Sequence, residues 1–291
     1  VTRIAVSGYA SLDHVMTLDG IPTPGRTTTI LSRPHDAWPR LGGSPSYVAA
    51  ALAANGIDGA VPLTWVGNDE AGRDYSAGLA KLGVQTDGVA AVEGARTPMA
   101  ILAYEPNGGC LCLYHPAAPS GLDLTIEHKR IIAGADWLCV TVGPTVATRE
   151  AIALLPDASG LCWVVKDDPR AMTAELAAEL AARADLICCS AAEAAFVQTA
   201  FEAAGTSRPN VILIETRGGA GAQVTANGVT VFVPSHSLSI TDPTGAGDTF
   251  AGGALAALAT GETDPVAIVQ SGHKAAYALL SGRVDTKNES A

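Results

Sequence analysis

The chain lacks the long apolar runs and the basic clusters that would tie it to a membrane or to a nucleic acid. No apolar stretch among its 291 residues reaches the roughly 18 residues that a membrane span needs. Lysine and arginine total 18 against 29 aspartate and glutamate, which gives a net charge of −11 without any basic run. Residues 1–6 are typical of a first strand and not of a signal peptide. We therefore expect a cytoplasmic protein with neither a membrane nor a nucleic acid as partner.

Several familiar catalytic motifs are also missing. The sequence contains no Walker A pattern, no HRD or DFG triplet, no GxSxG elbow and no HExxH helix. Paired CxxC spacing is absent as well, and a chain this long needs no disulfide staple. The cysteines sit mostly in apolar runs and are expected to be small buried hydrophobic residues; they are Cys110, Cys112, Cys139, Cys162, Cys188 and Cys189.

Short apolar runs alternate with helical patterns along the chain. With 48% hydrophobic and 16% charged residues, a single domain covering 1–291 can bury a large core. The alternation predicts βα units and a mainly parallel sheet in an α/β sandwich. Strands are predicted at 4–6, 63–66, 137–140, 161–165, 186–189 and 211–214, followed by a hairpin over 222–225 and 230–233. Helices are predicted at 46–55, 70–82, 147–155, 173–182 and 191–201.

Two segments break this alternation and read as projecting hairpins. Residues 14–18 and 27–32 flank a turn rich in glycine and proline, and residues 99–104 and 110–115 flank another. The sequence therefore predicts a small β-structure, made by segments of about 14–40 and 97–116, beside the α/β body.

The most informative stretch covers residues 241–253, where glycines precede an apolar helix. Gly245 and Gly247 let the backbone approach a ligand closely, and the helix N-terminus adds unpaired amides and a positive dipole end. Asp248 places a carboxylate at this helix start. Such a group could act as the base that takes a proton from an attacking hydroxyl during phosphoryl transfer. The alternative is an ordinary glycine-rich helix start capped by Asp248.

This stretch closely resembles the C-terminal signature of the ribokinase-like (PfkB) carbohydrate kinases, and similar segments in family order run from residues 8–14 to residues 272–276. The resemblance implies a three-layer α/β/α sandwich with a small β-strand lid, whose lids often pair two subunits into a homodimer. It implies a kinase that uses ATP and Mg²⁺ to phosphorylate an alcohol of a small sugar. A nucleoside kinase of the same fold and a sugar-binding regulator without catalysis remain alternatives.

The resemblance also assigns site residues. Asp248 would be the base, beside the anion cradle of Gly245, Ala246 and Gly247. The acceptor would meet Asp13, Gly42, Gly43 and Tyr47. Tyr47 departs from the family, which usually has an asparagine there, so ribose is in doubt as the substrate. The upstream His35, Trp38 and Arg40 could also contact a ring, or could be ordinary loop residues.

On the donor side, the resemblance places ATP against Thr216, Gly218, Gly221, His273 and Ala276, with a hairpin turn and a core histidine as the alternatives. Glu193 would bind Mg²⁺, directly or through water, or would cap its helix with Ser190. Backbone oxygens of Asp242 and Thr244 match a potassium site of many relatives, although Asp242 could simply initiate a turn.

Overall fold

Two β-sheets of unequal size organise the chain in the computed structural model, which describes residues 2–116, 122–236, 238, 240 and 242–284. Within these residues, nine strands form the larger sheet and five form the smaller one. Strands and helices are numbered here in chain order across both sheets.

The larger sheet is mainly parallel because helical crossovers join its apolar strands. Its spatial order is β14-β13-β12-β11-β10-β9-β1-β5-β6, and among these strands β13 alone runs in the opposite direction, antiparallel to both β12 and its hairpin partner β14. The six predicted strands and the predicted hairpin are confirmed. The strands are β1 Arg3–Ser7, β5 Gly59–Gly67, β6 Val89–Val92, β9 Trp137–Val140, β10 Gly160–Val164, β11 Leu186–Ser190, β12 Ile212–Thr216, β13 Gly221–Ala226 and β14 Val229–Pro234.

Helices cover both faces of this sheet, so the predicted α/β/α sandwich is confirmed. One buried cluster gathers α1, α2, α7 and α8, and the other gathers α3 to α6. The five predicted helices are present, the last beginning with a 3₁₀ turn at Ala191–Glu193. The helices are α1 Ser44–Ala54, α2 Glu70–Lys81, α3 Ile126–Ala133, α4 Thr145–Leu154, α5 Ala174–Arg183, α6 Ala194–Ala204, α7 Ala246–Ala259 and α8 Pro265–Val284.

Helix α7 packs unusually close to its neighbours α1 and α8. A Cβ atom added to Gly252 would come within 2.7 Å of the Val48 carbonyl oxygen on α1. One added to Gly253 would come within 2.8 Å of the Ser271 carbonyl oxygen on α8. The backbones of the three helices are therefore nearly in contact.

The smaller sheet contains both hairpins that the sequence predicts. Its order is β3-β2-β7-β8, and β4 pairs with the start of β2. The sheet begins three residues before the predicted boundary, so Asp13 lies within it. Its strands are β2 Ser11–Leu18, β3 Ile30–Ser32, β4 Arg40–Gly42, β7 Met99–Tyr104 and β8 Cys110–His115.

The cysteines divide between the core and this sheet. Cys139, Cys162, Cys188 and Cys189 are buried, as expected. For Cys110 and Cys112 the expectation of burial is wrong, because both lie on β8, an edge strand whose residues are all exposed. An apolar run at a sheet edge therefore need not reach a core.

Among the described residues, no helix is both long and apolar enough to cross a bilayer.

Candidate active site

A tight turn before α7 forms the centre of the candidate site. Gly245 is the N-cap of α7 and has φ +74°, a left-handed conformation that favours glycine. The Ala246 amide closes the turn by donating to the Pro243 carbonyl at 3.0 Å. The Gly247 and Asp248 amides follow at positions where helix amides lack an intrahelical acceptor. The turn thus provides the kind of helix N-terminus that can bind an anion, although the Ala246 amide is committed to the turn itself.

Tyr47 packs directly on this turn. A Cβ atom on Gly245 would overlap the Tyr47 ring. Only 8% of Tyr47 is exposed. Its hydroxyl is buried and has no hydrogen-bond partner among the described residues. Burial, followed by the charge of Asp13, raises the pKa of Tyr47. Helix α1 and the turn are therefore in van der Waals contact.

Asp248 occupies the third residue of α7, so it is not the cap of that helix, and the capping interpretation is wrong. Burial raises the pKa of its carboxyl to about 6, and the charges of Asp13 and Glu193 add to the rise. The Ser44 hydroxyl and the Lys166 ammonium oppose it. A carboxyl with this pKa is mostly ionised at neutral pH and is still a useful proton acceptor.

Asp13 lies near Asp248, where the smaller sheet meets the larger one. It is buried and accepts a hydrogen bond from the Ser11 hydroxyl at 2.5 Å. Burial raises its pKa. A Cβ atom on Gly42 would overlap the Asp13 carboxylate, and Gly43, with φ +80°, is the N-cap of α1. The two glycines therefore make room for the carboxylate and turn the chain into α1.

The predicted nucleotide residues lie in two places, the loop between β12 and β13 and the helix α8. Thr216 ends β12, and a 3₁₀ turn at Gly218–Ala220 joins it to β13, so the hairpin alternative also describes this loop. Gly221 has φ +134°, and a Cβ there would overlap the Val233 carbonyl. Strand pairing shapes this segment, and no atom of the described residues lies within 4 Å of a Cβ added to Gly218.

Aromatic rings line the α8 side of the same region. The His273 ring lies 5.3 Å from the Phe250 ring, and the His236 ring lies 6.0 Å from that of Tyr277. Burial, then the charge of His236, lowers the pKa of His273, which favours a neutral ring at pH 7. Ala276 is half-buried one turn further along α8. Flat, largely apolar groups of this kind suit a heterocyclic base.

Glu193 caps its helix turn and also borders the site. One of its oxygens, Oε2, accepts from the Ser190 amide at 2.9 Å and from the Ser190 hydroxyl at 2.8 Å. No group of three His, Cys, Asp or Glu side chains within the described ranges could hold a metal ion. A Mg²⁺ ion here would therefore take most ligands from phosphates and water, which is how Mg²⁺ usually binds.

The backbone oxygens assigned to potassium already bind an arginine. Arg283, near the end of α8, donates from Nη1 to the Asp242 carbonyl at 3.1 Å and to the Thr244 carbonyl at 2.7 Å. Arg40 donates to the Asp242 carboxylate at 2.6 Å. Although burial works to raise the pKa of Asp242, the Thr244 hydrogen bond and both guanidiniums hold it below its ordinary value. These donors fix the turn that precedes Gly245.

Three residues near the site were not predicted from the sequence. Lys166 follows β10 at the carboxyl edge of the sheet, a position that could have marked it. The Tyr104 hydroxyl lies 2.8 Å from that of Thr244, and it joins the smaller sheet to the turn. Arg283 is 39 residues from Thr244 along the chain, and no local pattern indicates the contact.

Fold and site together define a carbohydrate kinase: the chain belongs to the pfkB family of carbohydrate kinases, which it matches over residues 1–288. The predicted family is confirmed. An ATP-dependent ribose-1-phosphate kinase from Halopiger xanaduensis is 27% identical over 258 residues, which cover 88% of this chain and 84% of that protein.

Solved structures share the fold at lower identity. The ribokinase from Cryptococcus neoformans in complex with ADP has a TM-score of 0.77 at 21% identity, over 95% of this chain and 93% of its own. A nucleoside kinase from Methanocaldococcus jannaschii has a TM-score of 0.77 at 17% identity, over 97% of this chain and 92% of its own.

Proposed function

We propose that the protein transfers the γ-phosphoryl group of ATP to an alcohol oxygen of a small sugar, with Asp248 as the general base. The observation that carries this proposal is the raised pKa of Asp248, about 6, at the amino end of α7. Such a carboxylate would repel a resting phosphate, so its place beside an anion site suits proton removal from the attacking hydroxyl.

The acceptor would bind between the smaller sheet and Asp13, whose carboxylate can accept hydrogen bonds from two sugar hydroxyls. ATP would lie across Thr216, Gly218 and Gly221, with its base toward His273 and Ala276. Asp248 takes the proton as the acceptor oxygen attacks, while the Gly247 and Asp248 amides stabilise charge on the transferred group. Mg²⁺ would neutralise charge on the phosphates when bound, and Glu193 would hold it directly or through water.

A screen of sugars and nucleosides with ATP and Mg²⁺, read by ADP release, tests this function. We expect turnover with at least one small sugar. A protein that binds a sugar but releases no ADP with any acceptor would be the non-catalytic regulator.

A nucleoside kinase is the second candidate. Tyr47 supports it, because it replaces the small amide with which the family usually contacts the sugar; its ring is buried against the Gly245 turn and so reshapes the pocket without facing the acceptor. Turnover with nucleosides and none with free sugars in the same screen would favour it.

The pH dependence of the reaction should report Asp248. Because the base must be ionised, we expect kcat/KM to fall about tenfold per pH unit below the carboxyl pKa, which is about 6. The charge of Lys166 lowers that pKa. Lys166→Met should therefore move the acid limb to higher pH, and an unmoved limb would contradict this assignment.

Asp13→Ala should weaken acceptor binding by roughly 1.5–3 kcal/mol, the usual range for hydrogen bonds to a charged group, and should leave the KM for ATP nearly unchanged. The comparison of the two KM values is the measurement. Asp19→Ala is the matched control, because Asp19 is an exposed carboxylate just beyond the same strand, where it accepts from the Thr29 amide at 2.9 Å. An unchanged acceptor KM in Asp13→Ala would remove β2 from the site.

Two further expectations stay proposals. A homodimer through the smaller sheet is supported by Leu111 and Leu113, which are 40% and 55% exposed on β8 and lie on the face opposite to Cys110, Cys112 and Tyr114. Sedimentation of Leu113→Glu against the unaltered protein tests it, since a monomer in both samples would contradict it.

A cytoplasmic location, where ATP is supplied, can be checked by cell fractionation.

A further inference from the structure

The turn before α7 carries its own cation. Nη1 of Arg283 lies 3.1 Å from the Asp242 carbonyl oxygen and 2.7 Å from the Thr244 carbonyl oxygen. The same nitrogen is 3.7 Å from the Asp242 carboxylate. Two carbonyl oxygens and one carboxylate oxygen thus converge on one positively charged atom.

An inorganic monovalent cation does not fit this arrangement. The two carbonyls already accept hydrogen bonds from Arg283. The side chains of Arg283 and Arg40 are each only 11% exposed, and that of Asp242 is 9% exposed, so little water screens them from one another. The more exposed carboxylate of Asp36 also pairs with Arg40, at 3.0 Å, so the two guanidiniums and two carboxylates already balance before any ion is added. A potassium ion would have to displace a guanidinium and would face a second one.

We infer that Arg283 takes the place of the monovalent cation, so the kinase needs no potassium. Arginine keeps its charge at every pH at which the protein is folded, and its planar fork can donate to several oxygens at once. Bound at Asp242 and Thr244, it holds the turn in the shape that gives Gly245 its positive φ and aims the first amides of α7. Arg283 is therefore a positioning residue and does not touch the reacting atoms.

The hydrogen bonds from Arg283 to the turn also join the two halves of the proposed donor site, the base subsite and the phosphate subsite. Arg283 belongs to α8, the helix that carries His273 and Ala276, whereas the carbonyls that it binds belong to the turn. The base and phosphate subsites would then be aligned by a cation that is covalently part of α8 and hydrogen-bonded to the turn, and not by a diffusible ion. This consequence rests on the proposed kinase function, but the replacement of the ion does not.

The test compares potassium chloride with tetramethylammonium chloride at equal ionic strength, using the full chain. For the unaltered protein we expect the same melting temperature and the same turnover in both salts. A potassium-specific rise in either quantity would overturn the inference. The melting temperature needs no substrate, so it stays informative even if no acceptor is found, in which case the proposed function fails by itself.

Arg283→Ala removes the tethered cation and leaves three oxygens to an added ion. We expect a lower melting temperature and lower turnover in tetramethylammonium, and potassium should restore turnover by roughly tenfold, within the usual range for a ligand coupled to a second site. Indifference of this variant to potassium would overturn the inference. Arg283→Gln provides a second variant, with the same expectation, if the alanine protein does not fold.

Arg208→Ala is the matched control. Arg208 also pairs with an aspartate, Asp185, at 2.7 Å, but it lies at the amino ends of β11 and β12, away from the site. Its loss should lower the melting temperature equally in both salts and should leave turnover unchanged. A potassium-specific recovery of the control would show that the ion acts elsewhere, which would also overturn the inference.

Discussion

Asp248→Asn is expected to lower turnover by roughly 10²–10⁴-fold, the usual contribution of a general base, while ATP affinity stays nearly unchanged. Asparagine keeps the shape of the side chain but cannot accept the proton. The measurement is kcat at saturating substrate together with calorimetry of ATP binding. Turnover within about threefold of the unaltered enzyme would remove Asp248 from the role of base.

Stability should separate this loss of chemistry from a loss of folding. Burial raises the pKa of Asp248 to about 6. A raised carboxyl pKa means that the folded state binds the proton more tightly, so the ionised group destabilises the protein at neutral pH. Asp248→Asn removes that charge, and its melting temperature at pH 7 should be equal to or above that of the unaltered protein. A marked fall would indicate that Asp248 has a structural role.

Gly245→Val should abolish most activity for a different reason. Its φ of +74° is a genuine outlier for a β-branched residue, and a Cβ there would overlap the Tyr47 ring. Displacement of the turn would move the Gly247 and Asp248 amides, and loss of one such donor costs roughly 10²–10³-fold in kcat. Both turnover and ATP affinity should fall, whereas acceptor binding should persist. Normal turnover and ATP affinity together would show that the turn is not the anion site.

Gly205→Val is the control for backbone strain. Gly205 ends α6 with φ +64°, and within the part of the chain that the structure describes no atom lies within 4 Å of an added Cβ. It therefore suffers a similar conformational penalty, of order 1–3 kcal/mol, without touching the site. Both variants should lose stability, but only Gly245→Val should lose turnover.

Fold prediction succeeded where apolar periodicity is regular. The six buried strands and five helices follow from alternating runs in the sequence, because each run has to bury its face in a layered core. Helix α3 was missed because it has only eight residues, and its start depends on a capping box formed by Thr125 and His128. Cys110 and Cys112 were misjudged because an edge strand carries the same residue pattern as a central one.

The site could be located from the sequence but not fully assembled. Asp248 and Gly245 are close in the chain, so a local motif is enough to find them. Contacts between distant segments gave no such signal: Arg283 reaches back to Thr244, and the Tyr47 ring fills the space beside Gly245. The potassium assignment shows the limit, since the carbonyls that match the family's site bind a side chain that the motif does not include.

The close packing of α7 determines which part of the enzyme can move. With the backbones of α1 and α8 almost touching Gly252 and Gly253, α7 has no room to slide or to turn about its axis. We therefore expect the proposed phosphate site at its end to stay fixed during a turnover. Any closure around bound substrates has to come from the smaller sheet, whose edge strand β8 is open to solvent. In mechanical terms, the acceptor would be carried to a fixed donor.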